Sequence, residues 1–167
     1  MAISLMLSQG TAILGVMPFT DHMQLLPPAV RGGVEEMVER GDVDFVLLFG
    51  SLSRGTCGPM SDVDLAVQLS SGTLDAFQWK ISWLPRLSGP GCDVDLVIVS
   101  EASLALRFRI VRDGLPLWVG DEAALNAFKF ESTRDWLDFE PMLRIHDKAL
   151  VDRVRDGSFG KETPGNG

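Results

Sequence analysis

The tripeptide Asp-Val-Asp occurs three times in the chain, at residues 42–44, 62–64 and 93–95, each time beside an apolar, strand-like run. In the second copy, Asp62 and Asp64 lie one residue apart, so on a strand their side chains leave the same face with about 6.6 Å between Cα positions. Two like charges in one pocket repel and raise each other's pKa unless a cation lies between them. Oxygen ligands without His or Cys favour Mg²⁺. This pair therefore predicts a magnesium site.

The stretch Gly-Ser-Leu-Ser-Arg-Gly stands ahead of this pair and contains residues that can bind phosphate. Gly50 lets a backbone approach a ligand closely. Ser51 follows a strand-like run and is expected to open a short helix, whose amides favour phosphate. Arg54 can donate two hydrogen bonds to phosphate oxygens. Together with the carboxylates, these residues predict a site that handles the phosphate groups of a nucleotide.

The apolar patterning indicates the elements that must position these residues. Strands are predicted at 43–50, 62–70 and 92–100, and helices at 26–41, 73–87 and 101–114. Residues 115–119 add a short strand, and 121–155 reads as helical, with Pro141 either kinking one helix or starting a second. The predicted fold class is therefore α/β (α+β), a small mixed sheet flanked by helices with a C-terminal helical segment.

The strand–helix–strand sequence from 62 to 100 predicts a right-handed crossover between two parallel strands. Parallel neighbours have their N-terminal ends side by side, about 4.8 Å apart. Four carboxylates would thereby meet at one edge of the sheet: Asp62, Asp64, Asp93 and Asp95. A third carboxylate from the neighbouring strand would let two metal ions lie about 3.5–4 Å apart and stabilise both the attacking and the leaving oxygen.

The first Asp-Val-Asp copy is predicted to lie away from this edge. If the first strand runs antiparallel to the second, Gly50 and Ser51 share the edge with the four aspartates. Asp42 and Asp44 then lie at the other end of the first strand, roughly 16–20 Å from Ser51. They are interpreted as solvated residues at the entry of the strand.

The third metal ligand is either Asp93 or Asp95, because both side chains share a face of the predicted strand. Asp95 is flanked by Val94 and Leu96, a place where an unpaired charge is costly. Asp93 lies at the mouth of the strand beside a glycine and can be solvated. This burial argument favours Asp95 and leaves Asp93 open.

The glycine, the serine and the first aspartate pair have a spacing that resembles a known signature. Gly50-Ser51, ten further residues and then Asp62-x-Asp64 match the GS-x10-D-x-D pattern of the polymerase-β-like nucleotidyltransferase superfamily. The segment 49–65, FGSLSRGTCGPMSDVDL, looks like its minimal nucleotidyltransferase branch, which commonly has a G-S-x-x-R-G…S-D-x-D-L form.

A second segment, 94–118, is similar to the stretch that follows in that branch, where a strand aspartate precedes a helix and a D-G-x-x-L turn. On this alignment Asp95 matches the third metal aspartate of the family. The likeness covers roughly residues 27 to 155. The resemblance and the burial argument therefore favour the same residue.

The resemblance implies an activity, a cofactor and a partner. Members of the superfamily transfer a nucleoside monophosphate from a nucleoside triphosphate to an acceptor and release pyrophosphate. Stand-alone members of this size look like the antitoxin of a HEPN/minimal-nucleotidyltransferase pair, which adenylylates a tyrosine on its HEPN ribonuclease partner. The implied substrate is ATP or another NTP, the implied cofactor Mg²⁺ at a two-ion site, and the implied partner a HEPN-domain toxin. The chain contains no tyrosine, so a tyrosine acceptor must lie on another molecule.

The resemblance also implies a role for each site residue. Asp62 and Asp64 would hold Mg²⁺ on the triphosphate, and Asp95 would complete the second ion site and help to deprotonate the attacking hydroxyl. The implied nucleotide-binding residues are Gly50, Ser51, Arg54 and Ser61.

The amino-acid composition argues against two kinds of ligand, nucleic acid and zinc. The 167 residues have a formal net charge of −8 and a pI near 4.7, which argues against a basic face that grips nucleic acid. Cys57 and Cys92 have no CxxC spacing and no His cluster, so a zinc site is not expected and both are interpreted as reduced thiols of a cytoplasmic protein.

The first nineteen residues are apolar but lack the marks of a signal peptide or a membrane span. No Lys or Arg precedes Arg31, and polar residues interrupt the apolar run. The predicted organisation is an N-terminal segment of unknown role at 1–26, interpreted as an extension or an extra strand, a nucleotidyltransferase domain at 27–157 and a disordered polar tail at 158–167.

Two other functions stay open at this stage. One is transfer of the nucleotide to a small molecule such as an aminoglycoside, with four acidic residues lining an acceptor pocket: Glu131, Asp135, Asp138 and Glu140. Those charges are equally explained as a solvated helix face, which is the preferred interpretation. The other is an antitoxin that neutralises its partner by binding alone. The intact motif argues against it, because bare aspartates in a pocket are costly without a metal.

Overall fold

The computed structural model describes residues 18–56, 62–72, 75–89 and 92–155, with the backbone alone for 145–154. The described strands are β1 (Val43–Phe49), β2 (Val63–Leu69), β3 (Val94–Ile98) and β4 (Leu115–Val119). The α-helices are α1 (Pro28–Glu39), α2 (Gly50–Ser53), α3 (Ala76–Leu87), α4 (Leu104–Asp113) and α5 (Glu122–Arg155). The predictions for residues 1–17, for Cys57 and Ser61, and for the tail at 158–167 lie outside the described residues.

The four strands form one mixed sheet in the order β3-β2-β1-β4. β2 and β3 are parallel and are connected through α3, whereas β1 is antiparallel to both β2 and β4. Helices flank the sheet and α5 follows the last strand. The predicted fold class, including the parallel pair and the antiparallel first strand, is confirmed.

Capping residues set the ends of the helices beside the sheet. The Asp75 carboxylate accepts a hydrogen bond from the Gln78 N–H at the start of α3, and the Ser103 hydroxyl accepts one from the Leu106 N–H at the start of α4. α5 continues through Pro141 as one helix of 34 residues. Within the described ranges, no helix combines enough length and apolar character to cross a membrane.

The sheet is covered on both faces, which explains the continuous apolar sequence of β1. Val46 and Leu48 belong to a core layer that also contains buried side chains of α1 and α3, such as Met37 and Trp83. The alternate residues of β1 belong to a second layer, which includes Phe128 of α5. These two layers hold β1 rigidly between the helices, and so fix the point at which it ends.

The segment before α1 packs against β4. A 3-10 helix at Asp21–Leu25 precedes α1, and the Thr20 N–H donates to the Leu117 carbonyl over 3.0 Å. The His22 ring nitrogen Nδ1 lies 2.9 Å from the Pro116 carbonyl oxygen. Met23 is buried in the layer formed with α1 and α3. In its described part, the extension therefore contributes a helical turn and core contacts.

The first aspartate pair lies at the far end of β1, as predicted, and both carboxylates have hydrogen-bond partners there. Val43 pairs with Leu69 at the end of β2, and both aspartates are half-buried. The Ser70 hydroxyl donates to the Asp44 carboxylate over 2.6 Å, and the Asp42 carboxylate lies 3.4 Å from the Trp79 indole nitrogen. Both carboxylates thus keep partial exposure to solvent and also bind a side chain of another element, which the interpretation as solvated residues did not include.

Candidate active site

Strand register gathers the second and third aspartate copies at one edge of the sheet. Asp64 of β2 is the direct parallel partner of Asp95 of β3, and on its other side it pairs with Phe49, the last residue of β1. Gly50 and Ser51 follow at once as the start of α2. The predicted meeting of the Gly-Ser turn with the aspartates is therefore confirmed.

Gly50 is required by geometry at this point of the chain. Its φ is +77°, a left-handed conformation that residues with a side chain rarely adopt. A Cβ atom built on Gly50 would lie 1.8 Å from Asp64 Oδ2. The glycine therefore allows the turn and also leaves the space in which the Asp64 carboxylate lies.

Asp64 is the electrostatic centre of the site. Burial raises the pKa of its carboxyl above the ordinary 3.8, and the nearby charges of Asp95 and Asp62 raise it further. The Ser51 N–H, which donates to the carboxylate, and the Arg54 guanidinium act in the opposite direction and lower the pKa. The net shift is upward, so the three carboxylates repel one another and a cation between them would relieve the repulsion.

The other three aspartates of this edge are more exposed than Asp64. Asp62, immediately before β2, is exposed, and so are Asp93 and Asp95. The expectation that apolar neighbours bury Asp95 is therefore wrong, because its side chain leaves the face of β3 opposite to those neighbours at the strand end. Asp93 accepts the Val63 N–H through its backbone carbonyl. Its charge raises the pKa of the Cys92 thiol, whose burial is the larger cause.

A cavity of about 340 Å³ opens beside these residues. Its lining consists of Phe49, Gly50, Ser51, Arg54, Asp62, Asp64 and Arg109. Five of the predicted site residues thus share one cavity, Asp95 adjoins it through its pairing with Asp64, and Ser61 lies outside the described residues. Arg109 of α4 was missed by the sequence reasoning. The one sequence motif close to Arg109 is the Asp-Gly turn that ends α4. That motif predicts where the helix ends, but it does not predict which face of the helix points at the sheet edge.

Arg54 of the predicted phosphate-binding set has a protein partner. Its Nη1 lies 3.2 Å from Asp113 Oδ2, and the Asp113 side chain is only 10% exposed. The same carboxylate accepts from Arg112 Nε over 2.7 Å. Hydrogen bonds from Arg112, assisted by Arg54, lower the pKa of Asp113 to about 2. Asp113 therefore stays ionised and joins α2 to the end of α4.

The residues present fit a divalent cation in their chemistry. Asp62, Asp64 and Asp95 offer hard carboxylate oxygens, and burial together with the charges of Asp95 and Asp62 raises the pKa of Asp64, an effect that a bound cation would oppose. Among the described residues, no three His, Cys, Asp or Glu side chains are already grouped closely enough to hold a metal ion. The carboxylates thus supply the donor set that Mg²⁺ prefers without being prearranged around it.

Comparisons with known proteins agree with this geometry. Residues 34–123 match the family described as polymerase beta, nucleotidyltransferase. The chain is 39% identical to the protein adenylyltransferase MntA of Shewanella oneidensis over 77 residues, which are 46% of this chain and 54% of MntA. The chain therefore spans about half the length of the curated relative that it matches.

Solved structures of toxin–antitoxin complexes contain similar chains. One is a toxin–antitoxin with AMP-PNP, at 28% identity and a TM-score of 0.55, covering 74% of this chain and 97% of that chain. Another is a tyrosine-to-alanine mutant of the MntA–HpeT toxin–antitoxin, also at 28% identity and a TM-score of 0.55, covering 74% of this chain and 96% of that chain. With the family match over more than half of its length, the chain belongs to the polymerase beta nucleotidyltransferase family.

Proposed function

We propose that this chain is a metal-dependent nucleotidyltransferase that moves AMP from ATP to a hydroxyl on a partner protein. The acceptor is a tyrosine of a HEPN ribonuclease toxin, and the modification makes the chain an antitoxin. One observation carries the proposal: Gly50, Asp64 and Asp95 are neighbours at one sheet edge, beside a cavity that Asp62 also lines.

The three aspartates would hold Mg²⁺, and the bound ion supplies neutralisation of phosphate charge and polarisation of the α-phosphate. The fit rests on the mutual repulsion of Asp62, Asp64 and Asp95, which is strongest when no cation is present. Ser51 and Arg54 line the same cavity and are available to orient the phosphates. Catalysis by this chain then consists mainly of positioning and charge neutralisation.

In the transfer step, one carboxylate acts as the base. The acceptor oxygen forms a bond to the α-phosphorus, and the bond from that phosphorus to the oxygen bridging to the β-phosphate breaks, so pyrophosphate leaves with the electron pair. Asp95 takes the hydroxyl proton. Its carboxylate is exposed at the end of β3, so a hydroxyl carried by a large molecule can reach it.

Several observations support a protein as the acceptor. The absence of tyrosine from the chain excludes tyrosine automodification. The relative MntA is named a protein adenylyltransferase, and similar chains occur in toxin–antitoxin structures, one of them with AMP-PNP. The net charge of −8 is complementary to a ribonuclease with a basic RNA-binding face. The choice of a HEPN toxin follows from the resemblance of the sequence motifs to that branch.

The direct test uses the purified chain, Mg²⁺, ATP labelled at the α-phosphate and the HEPN protein encoded beside it. We expect label on the partner and, by mass spectrometry, added AMP on a tyrosine. The double substitution Asp62→Asn and Asp64→Asn should abolish both the label and the neutralisation of the toxin. Asp44→Asn is the matched control, because it changes the same tripeptide at the opposite end of the sheet.

The outcomes separate the alternatives. Full neutralisation by the double mutant at matched abundance would mean that binding alone is the function. Label on an aminoglycoside but on no protein would mean a small-molecule acceptor. The structure does not bring the four acidic residues of α5 together around an acceptor pocket. Asp135 pairs with Arg134 and Glu140 pairs with Arg144, whereas Glu131 lines a second cavity, at the opposite end of the sheet from Asp64.

A further inference from the structure

At the end of α4, the Asp113 carboxylate binds two of the three arginines of this region. Arg112 occupies both oxygens of Asp113, through Nε to Oδ1 over 2.7 Å and through Nη2 to Oδ2 over 2.9 Å. Arg54 of the neighbouring α2 reaches the same Oδ2 over 3.2 Å. Asp113 is therefore saturated with cationic donors, and its one negative charge is shared between two of the arginines.

The third arginine, Arg109, lies one helical turn before Asp113 and so on the same face of α4. It is exposed and lines the cavity. Among the residues that the structure describes, it makes no hydrogen bond or ion pair. An arginine with this freedom presents all of its guanidinium donors to whatever enters the cavity.

The two walls of the cavity carry opposite charge. Asp62 and Asp64 come from the sheet edge, where negative charge is in surplus. Arg54 and Arg109 stand on the helical side, where α2 and α4 are in contact. A metal-bound polyphosphate has the matching polarity, because its cation seeks the carboxylates and its terminal oxygens seek cationic donors.

We propose that Arg109 is the principal side-chain cation for the β- and γ-phosphates of the nucleotide, and that Arg54 is a positioning residue held by Asp113. The inference rests on the proposed function, since it assigns a residue to its substrate. In this structure Arg54 shares its charge with Asp113, whereas Arg109 has no carboxylate partner among the described residues. A planar guanidinium also matches two phosphate oxygens better than an ammonium does.

The test is equilibrium binding of Mg²⁺·AMP-PNP, with AMP as a competitor that lacks the two outer phosphates. Arg109→Gln should weaken AMP-PNP binding about tenfold or more, the loss expected for one charge-assisted contact, and should leave AMP binding within about twofold. Arg109→Lys should recover part of the loss, and Arg54→Gln should lose less than Arg109→Gln. Arg134→Gln, an exposed arginine of α5 outside the cavity, is the control with the same charge change.

The inference is overturned if Arg109→Gln binds AMP-PNP like the unsubstituted protein, if it loses AMP and AMP-PNP equally, or if Arg54→Gln loses more. Arg109→Lys guards against misfolding, because it keeps the charge and the length of the side chain. Failure of the unsubstituted protein to bind Mg²⁺·AMP-PNP at all would instead overturn the proposed function together with the inference. The two failures are thus distinguishable in one titration series.

Discussion

The two ends of β1 and β2 carry the same tripeptide in different surroundings. At one end, Asp44 is half-buried and accepts the Ser70 hydroxyl, and the cavity that it lines also contains the cationic Arg107. At the other end, Asp64 lies in an open cavity beside two more carboxylates, and its pKa is raised. The same tripeptide therefore meets different neighbours at the two ends, and we expect it to contribute to stability at one end and to chemistry at the other.

The largest effect should come from removing the charge of the central carboxylate. Asp64→Asn should reduce AMP transfer by about a thousandfold, because the loss of several kcal/mol of charge stabilisation has that size. The same variant should unfold at an equal or higher temperature without nucleotide, since it removes repulsion with Asp62 and Asp95. Transfer assays and thermal unfolding check the two halves. A variant that is both inactive and strongly destabilised would show that Asp64 has a structural role like that of Asp44.

Gly50→Ala should have the next largest effect, and it should act on both properties. The alanine Cβ would overlap Asp64 Oδ2 and would also stand at a φ of +77°, which by itself costs about 1 kcal/mol or more. We expect transfer to fall by about a hundredfold and the protein to unfold at a lower denaturant concentration. Gly55→Ala is the matched control, because that glycine also has a positive φ, +69°, but has open space around a built Cβ.

At the opposite end, Asp44→Ala should affect stability alone. It leaves the Ser70 hydroxyl without its acceptor in a half-buried place, so the free energy of unfolding should fall by about 1–2 kcal/mol. Transfer per folded molecule should stay unchanged, as measured below the unfolding transition. A loss of transfer without a loss of stability would break the contrast between the two ends.

The smallest effect concerns pH and the Asp113 carboxylate. Its pKa is lowered from 3.8 to about 2 in the folded protein, so its ionised form is favoured by folding. This contribution to stability is complete above pH 3.8 and is lost as the pH falls through about 2. The unfolding free energy of the unsubstituted protein should therefore fall in this window more steeply than that of Asp113→Asn. Parallel pH profiles for the two proteins would contradict the assignment.

The sequence was sufficient for the parts of the site that depend on strand order. A strand–helix–strand unit has parallel strands, so the meeting of the second and third Asp-Val-Asp copies at one sheet edge followed from pattern alone, whereas the register that pairs Asp64 with Asp95 did not. The Gly-Ser turn was predicted from the GS-x10-D-x-D spacing of the sequence. The exposure of Asp95 did not follow from the sequence. Side chains alternate between the two faces of a strand, so apolar neighbours along the chain do not indicate how much solvent reaches Asp95 at the sheet edge.

Arg109 and Asp44 were beyond sequence reasoning for a related reason. The surroundings of each residue depend on what another element places opposite it. Arg109 faces a cavity that is also lined by α2 and the sheet edge, and Asp44 accepts the Ser70 hydroxyl. Helix periodicity fixes which residues share a face, but the direction of that face is decided by packing across long separations in the chain. The hydrogen-bond partner of Asp42 was missed in the same way, since Trp79 approaches it from α3.

The fit between Gly50 and Asp64 ties two binding events together. The turn that is expected to receive the nucleotide also donates the Ser51 N–H to a carboxylate that is expected to receive the cation. A shift of the turn therefore alters the carboxylate, and the reverse holds as well. By thermodynamic reciprocity, the factor by which ATP tightens the affinity for Mg²⁺ must equal the factor by which Mg²⁺ tightens the affinity for ATP.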